Sequence, residues 1–320
     1  MTERGSTRNT TLAIIVPVYN EQDVLPEFFR ELNAVVDQCN LRVNVIYVDD
    51  GSTDRTAELL ARESSSRRDV QVLQLSRNFG SQSALRAGLD EAQGEAVVFL
   101  DADLQDPPKL ILEMIKLWQD GADVVVAQRR SRAEKGIRGI GFFLFHRIYA
   151  RLMHHLIPQD SGVFGLFDRR VAEALKSCPE TNLFIPGLMG WVGFRQEVVL
   201  YDRPERKAGE TKQSIFRLLQ HAWNAVASFS VIPLRMILVF GLCISIGSMT
   251  YGVCLLVIRV AQWFGYFLTL QTPGFTTLAV AIFFLGGIQL ISIGLVGEYL
   301  ARVYDECKRR PHYFIKQRLP

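Results

Sequence analysis

Much is missing from this chain, and each absence narrows what it can do. Its five cysteines (Cys39, Cys178, Cys243, Cys254 and Cys307) are scattered and show no metal-type spacing. They fit unpaired thiols in a reducing compartment rather than a disulfide framework. The opening stretch, MTERGSTRNT, is polar and lacks the apolar core of a cleaved secretory signal. A formal net charge of +3 over 320 residues is too small to point to nucleic acid as a partner. No internal repeat or low-complexity segment interrupts the sequence. The first strand-like run ends in PVYNE instead of G-x-G-x-x-G, which argues against a dinucleotide site of the Rossmann type.

What is present begins with apolar residues, 48% of the chain, enough for a large domain and something more. They concentrate toward the carboxyl end, in uncharged runs from Met236 to Ile258 and from Phe275 to Gly297. At about 1.5 Å per helical residue, each run reaches across a hydrocarbon core of roughly 30 Å, so two transmembrane helices are expected at about 236–258 and 275–297. Between them lies RVAQWFGYFLTLQTPG, with one Arg and several aromatics, as an interfacial loop has. The tail EYLARVYDECKRRPHYFIKQRLP is rich in Lys and Arg. By the positive-inside rule, both termini and the large amino-terminal domain are expected in the cytoplasm, with the chain as a multi-pass membrane protein. Small-x-x-x-small pairs at Gly241/Ser245 and Ser248/Gly252 permit close helix packing, either within the chain's own pair of spans or in a homo-oligomer. The predicted organisation is a large cytoplasmic domain over 1–230, the two spans over 231–298, and a basic cytoplasmic tail over 299–320. Two basic apolar stretches within the first part, at about 137–157 and 212–230, read as amphipathic helices at the membrane interface.

The first part alternates strand and helix signals from LAIIVPVY to ADVVVAQ, which predicts a mostly parallel sheet with helices on both faces. Three of the strands end in polar clusters: Tyr19-Asn20-Glu21, Asp49-Asp50 and Asp101-Ala102-Asp103. Open α/β sheets bind ligands at that carboxyl edge. The third cluster opens the stretch DADLQDPPKL, where Asp106, Pro107 and Pro108 lead into a predicted helix. Two aspartates two residues apart repel each other and call for a cation, and a divalent ion there would neutralise a diphosphate and improve it as a leaving group. Asp49 and Asp50 are suited to accept hydrogen bonds from a nucleobase imide or a ribose hydroxyl, and Gly51 lets the backbone approach closely.

Taken in order, PVYNE, VDDGSTDRT, RNFGSQSALRAGLDEAQGE and LDADLQDPP resemble the signature series of family 2 glycosyltransferases of the GT-A fold. The resemblance extends to polyprenyl-phosphate glycosyltransferases of the dolichol-phosphate mannose synthase type, and within them to the bacterial two-span glucosyl branch. It implies inverting transfer of one sugar, glucose from UDP-glucose, onto polyprenyl (undecaprenyl) phosphate for cell-envelope glycosylation. It also implies Mg²⁺ or Mn²⁺ at Asp101, Asp103 and Gln105, with the nucleotide-sugar held by Pro17, Tyr19, Glu21, Asp49, Asp50, Asp101 and Ala102. Arg129 and Arg147 resemble the arginines that hold the acceptor phosphate, and Arg206 and Lys212 those of a loop that closes over phosphates. Asp160 and Asp103 stand in the family's catalytic positions, Asp160 as candidate general base. Two departures stand out: Gly165 where relatives often carry Arg, and Gln213 where an aromatic is usual. The Q-x-x-R-W motif of processive synthases is absent, which favours a single transfer. The rival readings are the same reaction with N-acetylglucosamine, mannose or an aminopentose, and a non-catalytic scaffold or translocase component that only binds nucleotide-sugar.

Overall fold

The computed structural model describes residues 11–130, 161–180, 185–202, 232–264 and 274–319. It divides into two compact units, Met1–Ala222 together with Arg309–Pro320, and Trp223–Lys308.

In the first unit the apolar strand-like runs become an eight-stranded mixed sheet. β1 (Thr11–Val18), β2 (Arg42–Asp49), β3 (Val70–Leu75) and β4 (Ala96–Phe99) pair in parallel in the order β4-β1-β2-β3. Helices α1 (Leu25–Gln38), α2 (Thr56–Ser66) and α3 (Ser81–Glu91) make the crossovers between them. In β1, Leu12, Ile14 and Val16 enter one buried cluster with Phe28 and Leu32 of α1. Their period of two against the helix's i, i+4 spacing is the physical reason these elements pack. The same cluster includes Met114 and Trp118 of α4 (Leu110–Gln119). Order reverses at β1, since β2 lies on one side of it and β4 on the other. That makes a topological switch point, where a crevice opens beyond the strand ends.

The sheet is less parallel than the sequence suggests. β5 (Val124–Arg129) does not join β4 directly; β6 (Ser161–Asp168) lies between them, antiparallel to both, and β7 (Gln196–Tyr201) closes that side parallel to β5. After β6 come α5 (Arg169–Ser177), capped by Asp168 through the Arg170 amide, and the short α6 (Ile185–Trp191). On the opposite edge the residues expected as a plain basic tail supply β8 (Ile315–Leu319), antiparallel to β3. Tyr313 donates to Asp90 (3.0 Å) and Arg318 to Glu91 (2.7 Å), tying this strand to the end of α3. Charge on an edge strand, here Lys316 and Arg318, also discourages further pairing.

The second unit holds α7 (Ile232–Trp263) and α8 (Gly274–Lys308), both long and apolar enough to cross a membrane. Each outruns the apolar run that predicted it. α8 continues through EYLARVYDECK, where Arg302 pairs with Glu298 (2.8 Å) and Lys308 with Asp305 (2.9 Å) on successive turns. Their apolar side chains face outward, Leu238 and Leu290 each 73% exposed. Among the described residues nothing lies within 4 Å of a Cβ placed at Gly241 or Gly252. The stretches 137–157 and 212–230, expected as amphipathic helices, lie outside the described residues.

Candidate active site

At the switch point the ends of β1, β2 and β4 surround a cavity of about 270 Å³ lined by Pro17, Tyr19, Glu21, Asp50, Asp101, Ala102 and Asp103, with Val18, Asn78, Gly80 and Ser81. The walls are built by hydrogen bonds between loops. Asn20, at a positive φ of 53°, donates its amide to Ser52 Oγ (3.0 Å) and accepts from the Thr53 amide (2.8 Å). The Glu21 amide donates to Thr56 Oγ1 (3.0 Å), and the Gln22 amide to Asp54 Oδ2 (3.3 Å). Burial pushes the Asp54 carboxyl up, but hydrogen bonds from Thr56 and from the Gln22 amide outweigh it and hold the group below the usual carboxylate range.

The adjacent aspartates at the end of β2, Asp49 its last residue and Asp50 the next, take different tasks, because successive residues of an extended chain point to opposite sides. Asp49 is fully buried and accepts from the Ser52 amide (2.9 Å) and from Gln74 Nε2 (3.2 Å). Asp50 turns toward the cavity and accepts from the amides of Phe79 (2.7 Å) and Gly80 (2.8 Å), which fixes the segment before α3. Burial pushes its carboxyl above the ordinary value, opposed by those two amides and helped by the neighbouring Asp49 charge. The same segment is held from the other side by the tail: the Ser76 amide donates to the Phe314 carbonyl (2.9 Å), and Phe79 meets Phe314 at 6.3 Å between ring centroids.

After β4 the chain turns sharply at Leu104, whose φ of 58° is one that few non-glycine residues adopt. Asp103 Oδ1 accepts from the Gln105 amide (3.0 Å) inside this turn. Asp106 is carried inward, where its carboxylate accepts from the Tyr201 hydroxyl. Tyr201 in turn accepts from Arg129 Nε (3.2 Å). Burial, followed by the Asp106 carboxylate, pushes the Tyr201 phenol up to about 12. Burial works against the charge of Arg129, yet the Tyr201 contact and the carboxylates of Asp106 and Asp103 outweigh it and raise its pKa.

Asp101 and Asp103 offer hard oxygen ligands at the cavity wall. Among the described residues no three His, Cys, Asp or Glu side chains gather into a cage that alone encloses a cation. A pair of carboxylates fits Mg²⁺ or Mn²⁺, which is held by one or two of them and completes its shell with substrate phosphates and water.

Of the residues singled out in the sequence, then, seven line one cavity. Asp49, Gln105 and Arg129 are not among its lining, and Asp160, Arg147, Arg206 and Lys212 lie outside the described residues. Sequence reasoning assigned no role to Asn78, Gly80, Ser81 or Tyr201. The first three sit in the RNFGS stretch, whose glycine between a strand and a helix was the available signal. Gly165 is an interior position of β6, where a Cβ would come within 2.8 Å of the Val125 carbonyl oxygen, so no larger side chain fits there without displacement.

Residues 13–176 match the family described as glycosyl transferase family 2. The chain is 42% identical over 305 residues to an uncharacterized glycosyltransferase of Synechocystis, covering 95% of this chain and 94% of the relative. It is 37% identical to a prophage bactoprenol glucosyl transferase homolog of Escherichia coli (96% and 98% covered) and 38% identical to the bactoprenol glucosyl transferase of Shigella phage SfII (96% and 97%). Among solved structures, glucosyl-3-phosphoglycerate synthase from Mycobacterium tuberculosis with bound UDP is similar at 19% identity and a TM-score of 0.48, covering 69% of this chain and 79% of that one. A switch-point cavity with paired aspartates on a GT-A sheet, a domain match from residue 13 to residue 176 and relatives alike over nearly their whole length agree: the chain belongs to glycosyl transferase family 2 and is a glycosyltransferase.

Proposed function

We propose that this enzyme transfers one glucose from UDP-glucose to polyprenyl (undecaprenyl) phosphate, with inversion, at the cytoplasmic face of a bacterial plasma membrane. The observation that carries the reading is the extent of the likeness to relatives named bactoprenol glucosyl transferase. It runs over 96% of the chain, and so takes in the acid-lined cavity and the pair of apolar helices together. Membrane placement with both ends on one side is supported by the two helices and by β8, because the chain that leaves the sheet unit for α7 and α8 contributes its last strand to that same unit. The basic residues of the tail support the cytoplasmic side.

Tyr19, Glu21 and Asp50 hold the nucleoside beside Pro17 and Ala102, and Asp49 keeps the Asp50 turn in shape from behind. Asp101, Asp103 and Gln105 would hold Mg²⁺ or Mn²⁺, which supplies charge neutralisation of the diphosphate leaving group. Arg129 and Arg147 bring up the acceptor phosphate, and Arg206 and Lys212 close over the donor's phosphates. An acceptor phosphate oxygen attacks the anomeric carbon from the side opposite the diphosphate, the carbon–oxygen bond to UDP breaks, and UDP leaves with that electron pair. A phosphate monoester with a second pKa of about 6 is largely dianionic at neutral pH, so little proton abstraction is needed. Asp160 accordingly positions the acceptor or stabilises the positive character at the sugar.

The test is a panel of UDP-glucose, UDP-N-acetylglucosamine, GDP-mannose and a UDP-aminopentose, each offered with undecaprenyl phosphate to the purified full chain in detergent with Mn²⁺. Glycolipid from UDP-glucose in preference to the rest is expected. Preference for another donor would replace the sugar assignment, and no glycolipid from any donor would refute the acceptor.

A further inference from the structure

Arg129 ends β5 at the same sheet edge as the Asp101–Asp103 turn, and its neighbour in register on β7 is Tyr201. Three elements converge on its guanidinium. The Tyr201 hydroxyl accepts from Arg129 Nε (3.2 Å) and donates its own proton to Asp106 Oδ1, so the phenol stands between the cation and the carboxylate. Arg129 Nη2 and Asp106 Oδ1 are 3.9 Å apart, close enough for attraction but too far for a hydrogen bond. Nη2 also lies near Gly162 of β6, where an added Cβ would come within 3.5 Å of it. Asp106 and Tyr201 are buried, whereas the Arg129 side chain keeps 32% of its surface open. Among the described residues Tyr201 is the hydrogen-bond partner of the guanidinium, through Nε.

We infer that Tyr201 and Asp106 are positioning residues: they grip Arg129 by Nε and so present its two Nη groups as a fixed fork to the acceptor phosphate. This inference rests on the acceptor role read for Arg129 above. A carboxylate bonded directly to the fork would occupy the donors that an incoming phosphate needs. With the phenol interposed, Asp106 holds the guanidinium in place and leaves the fork to the ligand. Arginine rather than lysine suits such a post, because a rigid planar fork loses less freedom on binding a phosphate. The arrangement also links acceptor to donor. Asp106 closes the turn that begins with Asp101 and Asp103, so the acceptor arginine is referenced to the loop that faces the diphosphate.

Steady-state kinetics of the full chain in detergent separate this role from a structural one, with undecaprenyl phosphate varied at saturating UDP-glucose and then the reverse. Tyr201→Phe keeps the ring and removes the hydroxyl. It should raise the acceptor KM about 10- to 100-fold, the worth of one hydrogen bond to a charged group, while donor KM and UDP affinity by calorimetry stay as in the parent. Asp106→Asn should show the same split, with UDP binding as the check that the site is folded. In an Arg129→Ala background Tyr201→Phe should cost nothing more, since its effect passes through the missing side chain. Additive losses, or equal losses toward donor and acceptor, would overturn the positioning role. If Arg129→Ala raises the acceptor KM and Tyr201→Phe does not, the inference fails alone. If Arg129→Ala leaves the acceptor KM unchanged, the acceptor reading fails and takes the inference with it.

Discussion

Gly51 sits between the buried Asp50 and the Ser52–Thr53 turn at a φ of 72°, and a Cβ there would lie 2.5 Å from the Arg77 carbonyl carbon and 2.8 Å from both Arg77 Cα and the Asn78 nitrogen. All three atoms are backbone, so no side-chain rotation relieves the overlap, and Gly51→Ala must push residues 77 and 78 away. The left-handed conformation costs an alanine roughly 1–2 kcal/mol. Overpacking adds roughly 1–3 kcal/mol. The sum, about 2–5 kcal/mol, corresponds to a fall in unfolding temperature of about 4–20 °C for a domain of this size. The displaced segment leads directly to Phe79 and Gly80, whose amides Asp50 holds at 2.7 and 2.8 Å, and to Asn78, which lines the cavity. Each hydrogen bond between the shifted wall and a charged group of the bound nucleotide that is lost should weaken UDP binding about 10- to 100-fold. Gly121→Ala is the control: its φ of 104° is also one that disfavours alanine, but a Cβ meets nothing within 4 Å. Thermal unfolding in detergent and calorimetric titration with UDP and Mn²⁺ compare the two. Gly121→Ala should lose stability alone, and Gly51→Ala both stability and UDP affinity. Equal behaviour of the two variants would refute the reasoning.

Chelation with EDTA should abolish transfer and Mn²⁺ or Mg²⁺ restore it, with Asp103→Asn losing most of the activity; full turnover in chelator would remove the cation from the account. Asp160→Asn should keep measurable turnover, nearly flat from about pH 7 to 9, because the acceptor already carries its charge. Complete loss with unaltered donor and acceptor binding would restore a general base. A cysteine introduced near Gln271, which lies outside the described residues, should label from outside the cell and one at Lys316 should not; the reverse pattern would contradict the orientation.

The strand endings were legible in the sequence because each polar cluster follows an apolar run without a break. Pro17–Glu21, Asp49–Asp50 and Asp101–Asp103 announce both the sheet edge and its chemistry. The difference between Asp49 and Asp50 was less visible, since side-chain direction depends on where the strand's last regular residue falls. β8 was hidden for a physical reason: in IKQRL two exposed cations mask a short alternation, and the same charges read as a membrane-flanking tail. The antiparallel β6 escaped because pairing direction depends on the path of the preceding chain, which local periodicity does not record. The Asp106–Tyr201 contact joins residues 95 positions apart, and nothing local to DLQDPP marks that aspartate as an anchor rather than a helix cap.

The claim at the centre of this account is that one sugar passes with inversion from a nucleotide donor to a lipid phosphate. Mass and anomeric configuration of the product test it most directly. The purified full chain, given UDP-glucose and undecaprenyl phosphate with Mn²⁺, should yield the lipid phosphate carrying a single hexose, seen by mass spectrometry, with the β configuration in its proton NMR spectrum and one UDP released for each. Release of UDP without a glycosylated lipid, a series of longer saccharides, or an α-linked product would contradict it.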